Sequence, residues 1–457
     1  MAREGVPKGG RVKVKGIMSS VSSTPVAPGK TYPLSLLDHA MGLHHIRMVF
    51  YYRSDPAEPS CPVERERLKD SLTETLSFYP PVTGRLRIRD NGNWEVKCSD
   101  AGVRVIEATV GCTMDEWLRT FTPQEELQLT YWLDMPQDPS IWSPYYVQIN
   151  EFQGGGIAVG LSCTHMHADP TCTTLFVGSW SDVHRGDTIT HPPFFHPPGL
   201  RGRPTPNADT DSARYYEAKS KAHLPSSPSP PILMSTATFR FSEETVKKLL
   251  SQIQYPEATP FDALAALFWV SAARAKGVDP PSRLSLGFDL RKLLHAPLPR
   301  GFYGNALHFT NAVLTEAAGG ETGGKAPCLG EAAGAIRSRL SGLGEEDFWS
   351  AIDWLESQKD ADGKFAPPFR MYGPELTVLN MEQVPAYEAM FQKGVKPVLV
   401  NYRIGNAEGE GLVVVLPSPE EGLGRTVTVT LPSHEMKKLV EDEAILPLKS
   451  HLLVVDN

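Results

Sequence analysis

Long apolar runs are missing from this chain, and no stretch approaches the ~20 residues that a membrane-spanning helix needs. Residues 1–16 are locally basic but lack the apolar centre of a secretory signal. Both absences point to an intracellular protein, held at any membrane by a partner or a surface. Cysteine is scarce, with six in 457 residues and no CxxC pair. Cys61, Cys98, Cys112, Cys163, Cys172 and Cys328 are scattered and read as free thiols in a reducing compartment. There is no long basic run, and the net charge is −8, so nucleic acid is not the expected partner. No repeat of 20–50 residues is present, which excludes a solenoid.

What remains is an ordinary globular composition, 41% hydrophobic and 21% charged, which excludes a disordered or fibrous chain. A single core stops growing beyond roughly 250–300 residues, so two domains are expected. The change of composition over 188–231, rich in proline and serine, reads as a crossover linker. It divides the chain into an N-terminal domain, 1–187, and a C-terminal domain, 232–457.

Leu68, Leu72, Leu76 and Tyr79 recur at helical spacing and predict a helix over 63–79, ended by Pro80-Pro81. Residues 84–88 and 94–97 read as strands joined by the turn Asp90-Asn91-Gly92. Residues 145–152 and 157–163 flank Gly154-Gly155-Gly156 as an antiparallel pair, its second strand running into His165. Helical character follows over 171–183, and the crossover holds a short helix at 214–222. In the second half a strand at 236–241 leads to Ser242, which caps a helix carrying Glu243 and Glu244 in its first turn. A long apolar helix over 261–276 is expected to be buried, and a strand at 284–288 enters Asp289-Leu290-Arg291. The glycine-rich stretch 319–325 reads as a mobile loop. Strands at 412–416 and 426–431 precede a helix from Ser433. Strand and helix alternate in both halves, which predicts α/β layers.

The string Ser162-Cys163-Thr164-His165-Met166-His167-Ala168-Asp169 carries the chemistry. Imidazole titrates near neutrality, so His165 at a strand end can take a proton from an alcohol or amine and return one to a leaving thiolate. Asp169, four residues on, either faces this base or turns away to brace the loop, and spacing does not decide between them. HxxxD alone also fits a core histidine beside a helix-capping aspartate. Cys163 shares a strand face with His165, so a Cys–His nucleophile pair is a competing reading, against a plain buried thiol. His165 and His167 form an HxH, but zinc needs three or four converging ligands and His44, His45, His184, His191 and His196 lack ligand spacing. No metal is expected. The sequence 160–164 fails the nucleophile-elbow pattern, and 405–409 has no following Lys-Ser/Thr for a phosphate loop.

Four segments occur in one order: LKDSLTETLSFYPPVTGRLR (68–87), His165 to Asp169, TPFDALAALFW (259–269) and DLRKLLHAPLPRGFYGNAL (289–307). Together they resemble the plant BAHD acyl-CoA-dependent acyltransferases over about 32–439. The resemblance implies two similar-sized α/β domains, each a mixed β-sheet with flanking helices, chloramphenicol-acetyltransferase-like, with a solvent channel between them. It implies that His165 lies in that channel, open to both mouths. There it would deprotonate an acceptor hydroxyl or amine that attacks the thioester of an acyl-CoA co-substrate, with no permanently bound cofactor. It further implies that Asp169 turns away and pairs with Arg291, a bidentate contact that locks the loop.

The family's DFGWGKP motif has its best match at 389–397, where only Phe391, Gly394, Lys396 and Pro397 survive. That departure points to a branch. Residues 372–417, 32–52 and 100–110 look like the eceriferum/glossy proteins of plant cuticular wax synthesis. This second resemblance implies support for elongation of very-long-chain fatty acyl chains, a branch of lipid metabolism. The partners it implies are the acyl-CoA or acyl chain and the elongase condensing enzyme. The location it implies is the endoplasmic reticulum, held peripherally by that partner, or the cytoplasm. An active O- or N-acyltransferase using His165 is the alternative.

Overall fold

The computed structural model describes residues 10–54, 65–195, 200–205, 210–222, 232–277, 283–294, 298–314, 328–420, 422–447 and 452–455. Cys61, His196 and the expected loop at 319–325 lie outside them. In chain order the strands are β1 (Val12–Ser20), β2 (Thr31–Pro33), β3 (His45–Tyr52), β4 (Arg85–Ile88), β5 (Trp94–Lys97), β6 (Val103–Thr113), β7 (Tyr145–Gln153) and β8 (Ile157–Thr164). They continue as β9 (Met234–Phe241), β10 (Arg283–Asp289), β11 (Leu307–Val313), β12 (Thr377–Asn380), β13 (Leu399–Gly405), β14 (Leu412–Pro417), β15 (Arg425–Pro432) and β16 (Leu452–Val455).

Two large mixed sheets organise the molecule, in the orders β1-β6-β7-β8-β3-β13 and β11-β10-β12-β14-β15-β9-β16. A third, small sheet has the order β2-β5-β4. Strand alternation sets the layers, because successive side chains point to opposite faces. On β14, Leu412, Val414 and Leu416 join a core that also takes Ile46, Met48 and Phe50 from β3, so this core is continuous across both sheets. Val413 and Val415 face the other way, into a core closed by the helix Pro260–Lys276, which is apolar on nearly every side and buried. Val49 and Tyr51 of β3 likewise face a third core on the outer side of the first sheet.

Most expected elements are present with shifted ends. The first helix is Arg65–Leu76 and closes one turn before Pro80, the helix after His165 is Pro170–Arg185, and the helix in the crossover is Asp211–Ala222. β7 and β8 pair antiparallel, and Ser242 accepts from Thr245 N–H as an N-cap. The strands β1, β2, β3, β6, β11, β12, β13 and β16 are additional to those expected. β1 carries little buried surface, with Val14, Ile17 and Met18 exposed, so no core face marked it in the sequence. The helices Leu329–Ser341 and Glu345–Ser357 were not expected, although Phe348, Ala351, Ile352 and Leu355 recur at helical spacing and are buried in the second. β13, from the second half of the chain, pairs with β3 of the first sheet. The division at 188–231 does not account for that strand exchange, because composition marks linkers and not the pairing of distant strands.

Candidate active site

The loop carrying His165 is short, bounded by the end of β8 at Thr164 and by Asp169, the N-cap of the helix Pro170–Arg185. Its backbone is tied on both sides. His165 N–H donates to the carbonyl of His44, 2.9 Å away, and its own carbonyl accepts from Asn305 Nδ2 at 2.8 Å. Asn305 is fixed in turn by Asp38, whose Oδ1 accepts from its Nδ2 at 2.7 Å and its backbone N–H at 2.9 Å. Asp38 is itself locked by a capping box with Ser35. Burial raises the Asp38 carboxyl above its usual range, against these hydrogen bonds, which lower it.

Asp169 turns away from the imidazole and meets Arg291. Its Oδ2 accepts from Arg291 Nη1 at 2.9 Å and from Ala306 N–H at 2.9 Å. Its Oδ1 accepts from Arg291 Nη2 at 3.1 Å and from Cys172 N–H at 2.8 Å, which caps the helix. The two readings of this aspartate, helix cap and loop brace, are therefore both realised. Arg291 reaches further, to Asp289 Oδ2 at 2.9 Å and to the carbonyls of Phe302 at 3.3 Å and Gly304 at 3.1 Å. Burial alone would lower its pKa; the Asp169 and Asp289 carboxylates outweigh that and raise it.

The imidazole of His165 is fully buried. Burial holds its pKa down to about 4, so the neutral ring is the state present at pH 7. Nε2 lies 2.9 Å from the Tyr372 hydroxyl, and Nδ1 has no hydrogen-bond partner of good geometry. The ring is thus not open to two mouths, as the resemblance implied; a phenol closes its outer nitrogen.

His167 points elsewhere. Its Nε2 lies 3.0 Å from the Pro81 carbonyl and must donate to it, which leaves Nδ1 to accept from the Tyr303 hydroxyl at 2.9 Å. Both ring nitrogens are taken, so the HxH is not a ligand pair. Among the described residues no three His, Cys, Asp or Glu side chains are grouped to hold a metal. Cys163 is buried, and burial pushes its thiol well above the ordinary value, which removes the thiolate a nucleophile requires. Alkylation of the native protein by iodoacetamide is expected to label exposed Cys328 and to spare Cys163. Peptide mass spectrometry reads this directly, and early labelling of Cys163 would restore the Cys–His reading.

A family model described as Transferase family matches residues 15–446. This chain belongs to that family, the BAHD acyltransferases. The chain is 30% identical to a hydroxycinnamoyl-CoA:5-hydroxyanthranilate N-hydroxycinnamoyltransferase of Avena sativa, over 91% of this chain and 97% of that one. It is 26% identical to an ECERIFERUM 26-like protein of Arabidopsis thaliana, over 92% and 93%. Among solved structures, vinorine synthase superposes with a TM-score of 0.68 at 21% identity, covering 96% of this chain and 98% of the other. The two-sheet α/β architecture is thus the BAHD fold.

Within this BAHD chain, a cavity of about 340 Å³ opens beside the Asp169–Arg291 brace. Leu298, Met381 and Val384 give it an apolar wall and Lys292 and Arg300 give it cationic edges, while Arg337 in the lining is paired with Asp262 and Asp289 adds a carboxylate. No sequence motif marked it, because its lining comes from four separate segments. The degenerate motif at 389–397 sits away from His165. Phe391 is buried edge-on against Tyr52, Trp180 and His184, and the Ala389 carbonyl accepts from the Tyr52 hydroxyl at 2.7 Å. This segment packs the first lobe in place. Tyr372, Asn305 and Asp38 are site residues that spacing did not reveal; only the resemblance segments contained them.

Proposed function

We propose that this protein supports elongation of very-long-chain fatty acyl groups in plant cuticular wax formation, beside the elongase condensing enzyme. The cavity at the Asp169–Arg291 brace carries the reading. Its apolar wall suits an acyl chain, for which each Å² removed from water is worth about 25 cal/mol. Its cationic edges suit the anionic end of an acyl-CoA thioester. Residues 1–187 and 232–457 act as the two acyltransferase-like units, with β13 exchanged between them. Among the described residues no helix is long and apolar enough to cross a membrane. Location at the endoplasmic reticulum therefore depends, in this reading, on the partner.

The second reading is an O- or N-acyltransferase, favoured by the neutral imidazole of His165 and its braced loop. In it, Nε2, once the Tyr372 hydroxyl has moved off it, takes the proton as the acceptor oxygen or nitrogen attacks the thioester carbonyl. The C–S bond breaks, and the imidazolium returns the proton to the leaving thiolate.

Yeast expressing a plant elongase condensing enzyme separates the two. Fatty-acid chain length is measured by gas chromatography with the wild-type protein or the His165→Ala variant. Longer products from both forms are the result expected for elongation support. Longer products from the wild type alone transfer the weight to His165 chemistry. No lengthening from either sinks the proposal.

A further inference from the structure

The segment Met371–Glu375 precedes β12 and brings Tyr372 to the base from the second half of the chain. Its ring is fully buried, edge-on to His44 at 4.8 Å and to Phe309 at 5.7 Å. Its hydroxyl meets His165 Nε2 at 2.9 Å, the place and distance at which a general base holds the hydroxyl it deprotonates. In the Nδ1–H tautomer the phenol donates to Nε2, so a substrate hydroxyl cannot share that lone pair, and both side chains are 0% exposed.

The segment is also gripped from behind. Lys219, on the crossover helix Asp211–Ala222, is a buried lysine at 4% exposure. An ammonium has three N–H donors, and all three go to this segment. They reach the Met371 carbonyl at 3.4 Å, the Gly373 carbonyl, and the Glu375 carboxylate at 2.8 Å. The carbonyls on both sides of Tyr372 are therefore held by one buried cation. The Tyr372 carbonyl itself accepts from Glu408 N–H at 3.1 Å. Burying a lysine costs free energy unless it is paired, so this contact fixes a conformation and is not incidental.

We propose that Tyr372 is a built-in cap that occupies the acceptor position on His165, and that Lys219 is the latch that holds it there. The capped protein binds its acyl group without transferring it to a hydroxyl. Removing the cap admits water to Nε2. Water then attacks the thioester carbonyl, a C–O bond forms and the C–S bond breaks. The proton passes through His165 to the thiolate, giving a carboxylic acid and a free thiol. This chemical consequence rests on the acyl-thioester reading above; the cap itself does not.

The first test needs no acyl group. The full-length wild type, Tyr372→Ala and Lys219→Met are treated with diethyl pyrocarbonate, and carbethoxylation of each histidine is followed by peptide mass spectrometry. Exposed His434 reports reagent activity, and buried His167 and His308 report global opening. Labelling follows the population of the open form, so Tyr372→Ala should speed His165 at least about tenfold while His167 and His308 stay protected. Lys219→Met should speed it by a smaller factor, since Tyr372 remains but is no longer held. Equal His165 labelling in wild type and Tyr372→Ala overturns the cap. If Tyr372→Ala unfolds, all buried histidines accelerate together, and Lys219→Met then decides. Selective His165 labelling in Lys219→Met supports the latch and cap, and unchanged labelling overturns them. A second readout follows thiol release from a long-chain acyl-CoA. An uncovered His165 with no thiol released leaves the cap standing and counts against the acyl-thioester reading alone.

Discussion

Arg291→Met is expected to destabilise the protein by about 3–5 kcal/mol, the cost of leaving a buried charge without its partner. Asp169 is 0% exposed, and Arg291 supplies two of its four hydrogen bonds. Without the guanidinium the carboxylate keeps only the backbone N–H groups of Cys172 and Ala306. The carbonyls of Phe302 and Gly304 lose a donor as well. The reverse substitution is milder. In Asp169→Asn the arginine still faces Asp289 and both carbonyls, and an asparagine oxygen still caps the helix Pro170–Arg185. The ordering Arg291→Met well below Asp169→Asn, and both below wild type, is checked by urea unfolding at pH 7.5. An Arg291→Met midpoint indistinguishable from wild type would show that the brace contributes nothing to the fold. Because the same loop carries His165, any function that needs this histidine should fall with stability in the first variant.

How much of this was readable without coordinates depends on the range of the signal. Ser242, the helix 261–276 and the β7–β8 hairpin were legible because caps, apolar periodicity and glycine turns act over a few residues. Asp169 was legible as a residue of interest but not in its role, since four positions of spacing do not fix whether a carboxylate faces forward or back. Its partner Arg291 is 122 positions away, and only the family resemblance paired them. Tyr372 and Lys219 gave no signal. Tyrosine in an apolar context usually reads as core, and a lysine in a helix reads as a solvated face; only three-dimensional approach puts one on the base and the other behind it. β13 was missed for the same reason, because strand exchange between halves leaves no trace in composition. The resemblance implied an open histidine, whereas His165 is buried and the side chain on its Nε2, Tyr372, comes from the second half of the chain.

Acidification from pH 7 to 5 is expected to remove most of the stability, and the histidines say why. Burial lowers His39, His45, His165, His167, His184 and His308 to about 4, and His44 to about 3, from an ordinary value of 6.5. Above about 7.5 these rings are neutral in both folded and unfolded chains, so they make almost no pH-dependent contribution. Below 6.5 the unfolded chain takes up protons that the folded chain refuses. Stability therefore falls as pH drops from 6.5 toward 4, by at most about 1.4 kcal/mol per pH unit for each ring. Several rings acting together rival a net stability of about 5–15 kcal/mol within one or two pH units. Thermal unfolding at pH 8.5, 7.5, 5.5 and 5.0 should show a nearly constant Tm at the upper two values and a steep fall below. A Tm unchanged between pH 7.5 and 5.0 would mean that the buried rings are solvated on the folded side, which the closed His165 site does not permit. The same sign separates two causes of acid inactivation. His165 keeps its lone pair down to about 4, whereas the fold fails earlier, so activity and tertiary structure should be lost together and not in sequence.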